Sequence, residues 1–305
     1  MPKFLKSLKS ITPVDSPRYQ LHRHLSGPEP ARSLKRLHAS ELTKEGGICP
    51  RFYALADVTH FKPKDKWLTT AEQVTYHMGR VLQDSVVGWF ADMNKAWCHW
   101  KCVACGTQHD FQLRPIQCKT CGCRKFDPIE VRFESAECGA SCGVDMLLIR
   151  QGGNMRVHEL KTMDKDQFKD LKAPLAEHRW RTNLYLRLIA ESENPWAKSI
   201  DTTAATILYI SKGGSGCSAP DLKDHGLSDK FSPFKEYTVE RDDKETDVLV
   251  RRASAVKKFR AGAKGMPFGV CATAMDKRAL ACPLRAACFS GVYQPIFDWR
   301  KEIDE

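Results

Sequence analysis

The sequence predicts an α/β fold interrupted by a small cysteine-rich insertion. Three observations carry that reading. Runs of β-branched and apolar residues at 129–134, 143–150, 155–161 and 203–211 read as strands. Segments near 70–93, 174–191 and 243–263 carry helical spacing or a helix-opening proline, and they surround the strands. Residues 97–126 follow neither pattern, being rich in Cys and Gly and poor in long apolar periods. With 305 residues, 42% of them hydrophobic, the chain is long and apolar enough to bury a full core. No apolar run approaches the ~20 residues that span a bilayer, so no membrane helix is expected.

Taken in order, residues 1–45 read as a basic arm of little order, broken by Pro13, Pro17, Pro28 and Pro30. Asp15 is the one acid before Glu29, and a mitochondrial transit peptide is the alternative for this stretch. Residues 46–96 read as helical. One helix begins near Cys49 with Pro50 in its first turn. A longer one, capped by Thr69 or Thr70, carries Val74, Met78, Val81, Leu82 and Val86 at helical spacing. After the insertion at 97–126, residues 127–265 hold the strands and the later helices, including one opened by Pro174. Residues 213–233 read as a loop, and 266–305 form a cysteine-bearing tail.

The formal net charge of +11 favours an acidic partner, and nucleic acid is the commonest one. Thirteen cysteines with no visible secretory signal point to a reducing, cytoplasmic setting in which clustered thiols serve as metal ligands. In the insertion, Cys102-x2-Cys105 and Cys118-x2-Cys121 are each followed by glycine. This is the spacing of two zinc knuckles, with Cys98 and Cys123 as rivals for the fourth ligand. Four protein ligands leave no open position, so the expected zinc is structural. No H-E-x-x-H or other open zinc site is present, which disfavours a zinc hydrolase.

The segment GVDMLLIRQGGNMRVHELKT, Gly143 to Thr162, reads as a hairpin turning at Gly152 and Gly153. A three-residue loop at 151–153 pairs Asp145 with Glu159, Leu147 with Val157 and Ile149 with Met155. One face is then apolar along its length and acidic at its open end, and period-two alternation adds Lys161 to that face. A two-residue loop would set Asp145 opposite Leu160 and scramble the face. Paired carboxylates repel and need a counter-charge, and Mg2+ or Mn2+ suits hard oxygen ligands. A lysine beside them can orient an attacking water. The competing reading is a surface hairpin with an ordinary ion pair.

Gly143-Val144-Asp145, then Glu159-Leu160-Lys161, then a helix carrying HRWRTNLYLRLI, resemble the RecB-like PD-(D/E)XK nucleases. The likeness is closest to CRISPR-associated RecB-like exonucleases and their phage-encoded relatives, and it spans about Ile48 to Phe289. It implies a restriction-endonuclease-like core, a mixed central sheet flanked by helices, with the zinc ribbon inserted. It implies hydrolysis of DNA phosphodiesters, by an exonuclease acting on ends or single strands, in the cytoplasm (a host's, if phage-encoded). Replication or recombination proteins are the implied further partners. Asp145, Glu159 and the Leu160 carbonyl would hold the catalytic metal, and Lys161 would complete the centre. The family's early helix presents a histidine four residues after a glycine. Here Gly79 is followed by Gln83, with Asp84 or His77 as substitutes. The family's Q-x-x-x-Y, which contacts DNA and supports the active site, becomes Arg181 and Tyr185, with His178 one turn earlier and Arg179 beside it as further DNA contacts. The resemblance also implies a 4Fe–4S cluster on Cys49, Cys271, Cys282 and Cys288, leaving Cys138, Cys142 and Cys217 as packing residues. A catalytically inactive nuclease fold that binds DNA or assembles through the zinc ribbon is the alternative function.

Overall fold

The computed structural model describes residues 16–44, 47–150, 153–213 and 232–301. Along the chain run α1 (Pro17–Leu25), β1 (Gly27–Glu29), β2 (Leu37–His38), α2 (Ala39–Leu42), α3 (Pro50–Val58), β3 (Lys66–Leu68) and α4 (Thr70–Asp92). Next come β4 (Ala96–Cys102), β5 (Gln108–Leu113), β6 (Phe126–Ile129), β7 (Val131–Glu134), β8 (Ala140–Val144), β9 (Met146–Ile149) and β10 (Met155–Met163). The chain continues with α5 (Lys165–Asp170), α6 (Ala176–Ala190), β11 (Ile200–Ser211), β12 (Phe234–Glu240), α7 (Asp243–Arg260), α8 (Lys277–Leu280) and α9 (Arg285–Phe289). It divides into two compact units, Met1–Ser33 with Pro63–Val81, and Leu34–Lys62 with Leu82–Glu305.

In the first unit β1 pairs antiparallel with β3, setting Pro28 against Trp67. The long helix starts on a reciprocal cap. The Thr69 N–H donates to Glu72 Oε2 at 2.9 Å, and the Glu72 N–H donates to Thr69 Oγ1 at 3.3 Å. Thr70 Oγ1 lies 2.9 Å from both Ser26 Oγ and His22 Nδ1. Val74, Met78 and Val81 form a periodic stripe in sequence but are exposed, whereas Val86, Val87 and Ala91 further along the helix are buried.

The second unit is mixed α/β, a central mixed sheet flanked by helices. Among the described residues the sheet runs β12-β11-β10-β9-β4-β5, with β6 also on β4. Its β10–β11 pair is parallel and the other pairs are antiparallel. One face packs Leu147, Val157 and Ala205 against Leu184, Leu188 and Ile189 of α6 and Val250, Ala253 and Val256 of α7. The other packs Met146, Leu148, Leu160 and Trp100 against Val86, Val87 and Ala91. A second sheet, β2-β8-β7, joins the first core.

The structure departs from the sequence reading in three places. The arm expected over 1–45 carries α1, β1, β2 and α2 within its described part, and burial of Leu37, Ala39 and Leu42 accounts for the order at its end. The cysteine-rich insertion is not set apart from the core. Its strand β4 pairs with β9 through Ala96↔Leu148 and Trp97↔Leu147, because alternation buries Ala96, Cys98, Trp100 and Cys102. The strand expected over 143–150 is broken at Asp145, where the chain leaves the smaller sheet as β8 and enters the larger as β9. Most of the 213–233 loop, Cys217 included, lies outside the described residues, as do Gln151 and Gly152 of the hairpin turn. No helix among the described residues is long and apolar enough to cross a membrane.

Candidate active site and metal centres

The register of β9 on β10 is Ile149↔Met155, Leu148↔Arg156, Leu147↔Val157 and Met146↔His158, the pairing expected from a three-residue turn. Gly153 sits in that turn with φ +92, a backbone conformation that favours glycine. Pairing stops at Met146↔His158, short of the expected Asp145–Glu159 pair, because the chain bends at Asp145, and this leaves the N–H of Leu160 open on that side. The Asp145 carboxylate takes it: Leu160 N–H donates to Oδ2 at 2.8 Å. Gln83 Nε2, from α4, donates to Oδ1 at 2.7 Å. The bend at Asp145 thus exchanges backbone pairing for a carboxylate held at both oxygens.

Glu159 is 1% exposed, and no hydrogen-bond donor reaches its Oε2 among the described residues. Burial, then the nearby Asp145 charge, pushes its carboxyl up to about 8 against the opposing pull of Lys161. The Lys161 ammonium contacts Glu159 Oε1, lies 3.2 Å from the Leu160 carbonyl and 4.0 Å from Asp145 Oδ2. Burial opposes its charge, but Glu159 and Asp145 outweigh burial and raise its pKa. Asp145, Glu159, Lys161, the Leu160 carbonyl and Gln83 therefore share one location.

Helix α6 turns a face toward them at the spacing 178, 181, 185. Tyr185 is buried, and its hydroxyl is pushed well above its usual range by burial and then by Glu159 and Asp145. Arg181 Nη2 donates to Glu177 Oε1 at 2.5 Å and Nε to Thr43 Oγ1 at 3.5 Å. Its charge and that of Lys161 add to burial in holding the His178 imidazole down to about 4. His178 Nδ1 lies 2.9 Å from the hydroxyl of Tyr209, a residue the sequence reading missed. Its one signal was a phenol within the short apolar stretch 207–210 of β11. Arg179, also expected to contact phosphate, lies on another face of the helix, half-exposed and donating to Glu245 of α7 at 2.5 Å. Of the two alternatives to Gln83, His77 belongs to the first unit, and Gln83 is the residue bonded to Asp145.

Cys102, Cys105, Cys118 and Cys121 offer sulfurs all within 4.8 Å of one another, a group fit for a metal ion. The two knuckles repeat one geometry. Gly106 N–H donates to Cys102 O and Gly122 N–H to Cys118 O, each at 2.9 Å, with φ of +73 and +74 at the two glycines. Burial opposes ionisation of Cys118, but the N–H groups of Thr120 and Cys121, with His109, bring its thiol down to about 5. Cys98 belongs to the core beside Trp100, and Cys123 lies outside the group.

Cys49, Cys271, Cys282 and Cys288 line one cavity of about 660 Å³. Cys49 precedes α3, whose Arg51 donates to the Cys288 and Tyr293 carbonyls at 2.6 and 2.7 Å, tying the early helix to the tail. Cys138 and Cys142 are buried in the main core, as expected of packing residues.

No protein-family description matches the chain, and no curated protein sequence matches it. Among solved structures, the fold is similar to the crystal structure of SSO0001, at 14% identity and a TM-score of 0.37, covering 79% of this chain and 83% of that one. It is also similar to LHK-Exo in complex with dAMP, at 11% identity and a TM-score of 0.37, covering 75% of this chain and 90% of the other.

Proposed function

We propose that the chain is a metal-dependent DNA nuclease of the PD-(D/E)XK type, an exonuclease acting on DNA ends or single strands. One observation carries the reading: two carboxylates and an ammonium converge where a buried oxygen, Glu159 Oε2, meets no hydrogen-bond donor among the described residues. A buried carboxylate oxygen without a donor fits a cation ligand. Asp145, Glu159, the Leu160 carbonyl and Gln83 would hold Mg2+ or Mn2+. When bound, the ion supplies Lewis acidity toward the scissile phosphate and its leaving oxygen. Lys161 orients the attacking water and balances charge on the phosphate. Arg181 and His178 face the backbone of the DNA, and Tyr185 walls the carboxylates off from bulk water.

The four-cysteine group of the ribbon would hold zinc. Four sulfurs fill a tetrahedral ion and leave no position for substrate, so this metal staples the ribbon. The cavity of Cys49, Cys271, Cys282 and Cys288 fits a larger group, a 4Fe–4S cluster that clasps the two ends of the second unit. Replication or recombination proteins are the further partners of the reading.

A second reading has one observation in its favour. Where the resemblance expects a metal-binding histidine this chain has Gln83, a weak oxygen ligand whose amide N–H donates to Asp145 Oδ1. On that reading the fold binds DNA without cutting it.

Cleavage of end-labelled single- and double-stranded DNA, with Mg2+, Mn2+ and chelator compared, separates the two. The nuclease reading expects metal-dependent cleavage that Lys161→Ala abolishes while DNA binding survives. Cleavage undiminished in that variant removes the assignment.

A further inference from the structure

Strand β11 carries one polar aromatic residue into the core. Tyr209 is 0% exposed, pairs in register with Lys161 of β10, and sends its hydroxyl to the start of α6. Two groups meet that oxygen: the Leu175 N–H, donating at 3.0 Å, and His178 Nδ1 at 2.9 Å. A phenol has one proton to give. Leu175 N–H can only donate, so the one acceptor for that proton among the described residues is Nδ1.

We infer that Tyr209 is a positioning residue that fixes His178 as a neutral imidazole with its single proton on Nε2. The opposite assignment puts a proton on Nδ1 and aims it at the Tyr209 oxygen. The buried phenolic proton would then have no acceptor, which is disfavoured by roughly a factor of ten or more. Burial and the cations of Lys161 and Arg181 act in the same direction by opposing a third positive charge. The rings also meet in a tilted contact, 5.6 Å between centroids and 37° between planes, which helps hold the imidazole in place.

The consequence is a role for His178 that its residue type alone does not reveal. Near neutral pH it neither takes nor gives a proton. It is an uncharged N–H donor, and Nε2 makes no hydrogen bond among the described residues. That donor suits a phosphate oxygen, and this last step rests on the nuclease reading above; the proton assignment does not. Tyr209 touches neither substrate nor metal, and it acts through the imidazole it orients.

Nitrogen-15 spectroscopy of the full chain with labelled histidine tests this directly, His178→Gln identifying the signals of His178. At pH ~7 the expected spectrum is the pure Nε2–H form. Tyr209→Phe keeps the ring and should lose that single form, giving mixed tautomers or imidazolium. On an end-labelled oligonucleotide with Mn2+, the same variant should lose about tenfold in kcat with KM little changed. An Nδ1–H or imidazolium spectrum in the unaltered chain overturns the inference, as does a pure Nε2–H form in Tyr209→Phe. Should that variant not fold, the spectrum of the unaltered chain decides alone. If the unaltered chain shows Nε2–H yet cuts no DNA, the proton assignment stands and the nuclease reading falls.

Discussion

Raising the pH from about 6 to well above 8 should tighten Mn2+ binding roughly a hundredfold, and Glu159 is the reason. Its carboxyl is buried and beside Asp145, and together these outweigh Lys161 and lift its pKa from 4.5 to about 8. A cation must displace that proton to use the oxygen. Each pH unit below the raised pKa then weakens binding about tenfold, ~1.4 kcal/mol, and two units give the hundredfold. Above about pH 8 the curve should flatten. Calorimetric titration in buffers of different ionisation enthalpy counts the protons released, expected near one at about pH 6.5 and none well above pH 8. Stability of the metal-free chain follows the same group. Below 4.5 the carboxyl is protonated whether folded or unfolded, so nothing is lost. As pH rises through about 8 the folded state must either keep a proton the unfolded state has shed or bury a charge, and stability declines. Glu159→Gln should abolish the pH dependence in both measurements. Affinity flat across this range, with no proton released, would refute the argument.

Two metal predictions follow from the cysteines. Metal analysis should find one zinc per chain, and Cys102→Ser and Cys118→Ser should each release it, since each removes one of four converging sulfurs. Anaerobically purified protein should be brown, absorb at about 400 nm and contain about four irons. A colourless preparation with zinc and no iron would defeat the cluster proposal, leaving the cavity around Cys49 and Cys282 as apolar packing.

What the sequence made legible was local. The Leu147–Val157 pairing follows from period-two alternation around a glycine turn, and the knuckles follow from C-x2-C-G spacing, so both needed only neighbours in the chain. The bend at Asp145 needed distant ones. It arises because β8 pairs outside the larger sheet, with β7 (Val131 against Val144) and with β2 (Leu37 against Ala140), contacts no periodicity encodes. The same long reach explains the order of residues 37–42, which look unremarkable until their partners are present. Tyr209 stayed hidden because a hydroxyl in an apolar run reads as strand, and its partner His178 is thirty-one residues away. The stripe of Val74, Met78 and Val81 shows the converse: helical spacing announced a helix correctly but not which of its turns would be covered.

Strand β4 has a mechanical consequence. At one end it is Cys102, a sulfur of the ribbon's four-thiol group; at the other, Trp97 is zipped to Leu147, two residues beyond Asp145. The ribbon and the carboxylate are joined through strand β4 and its backbone pairing with β9. A pull on the knuckles is delivered to the bend at Asp145 through backbone, with no flexible side chain in between to absorb it.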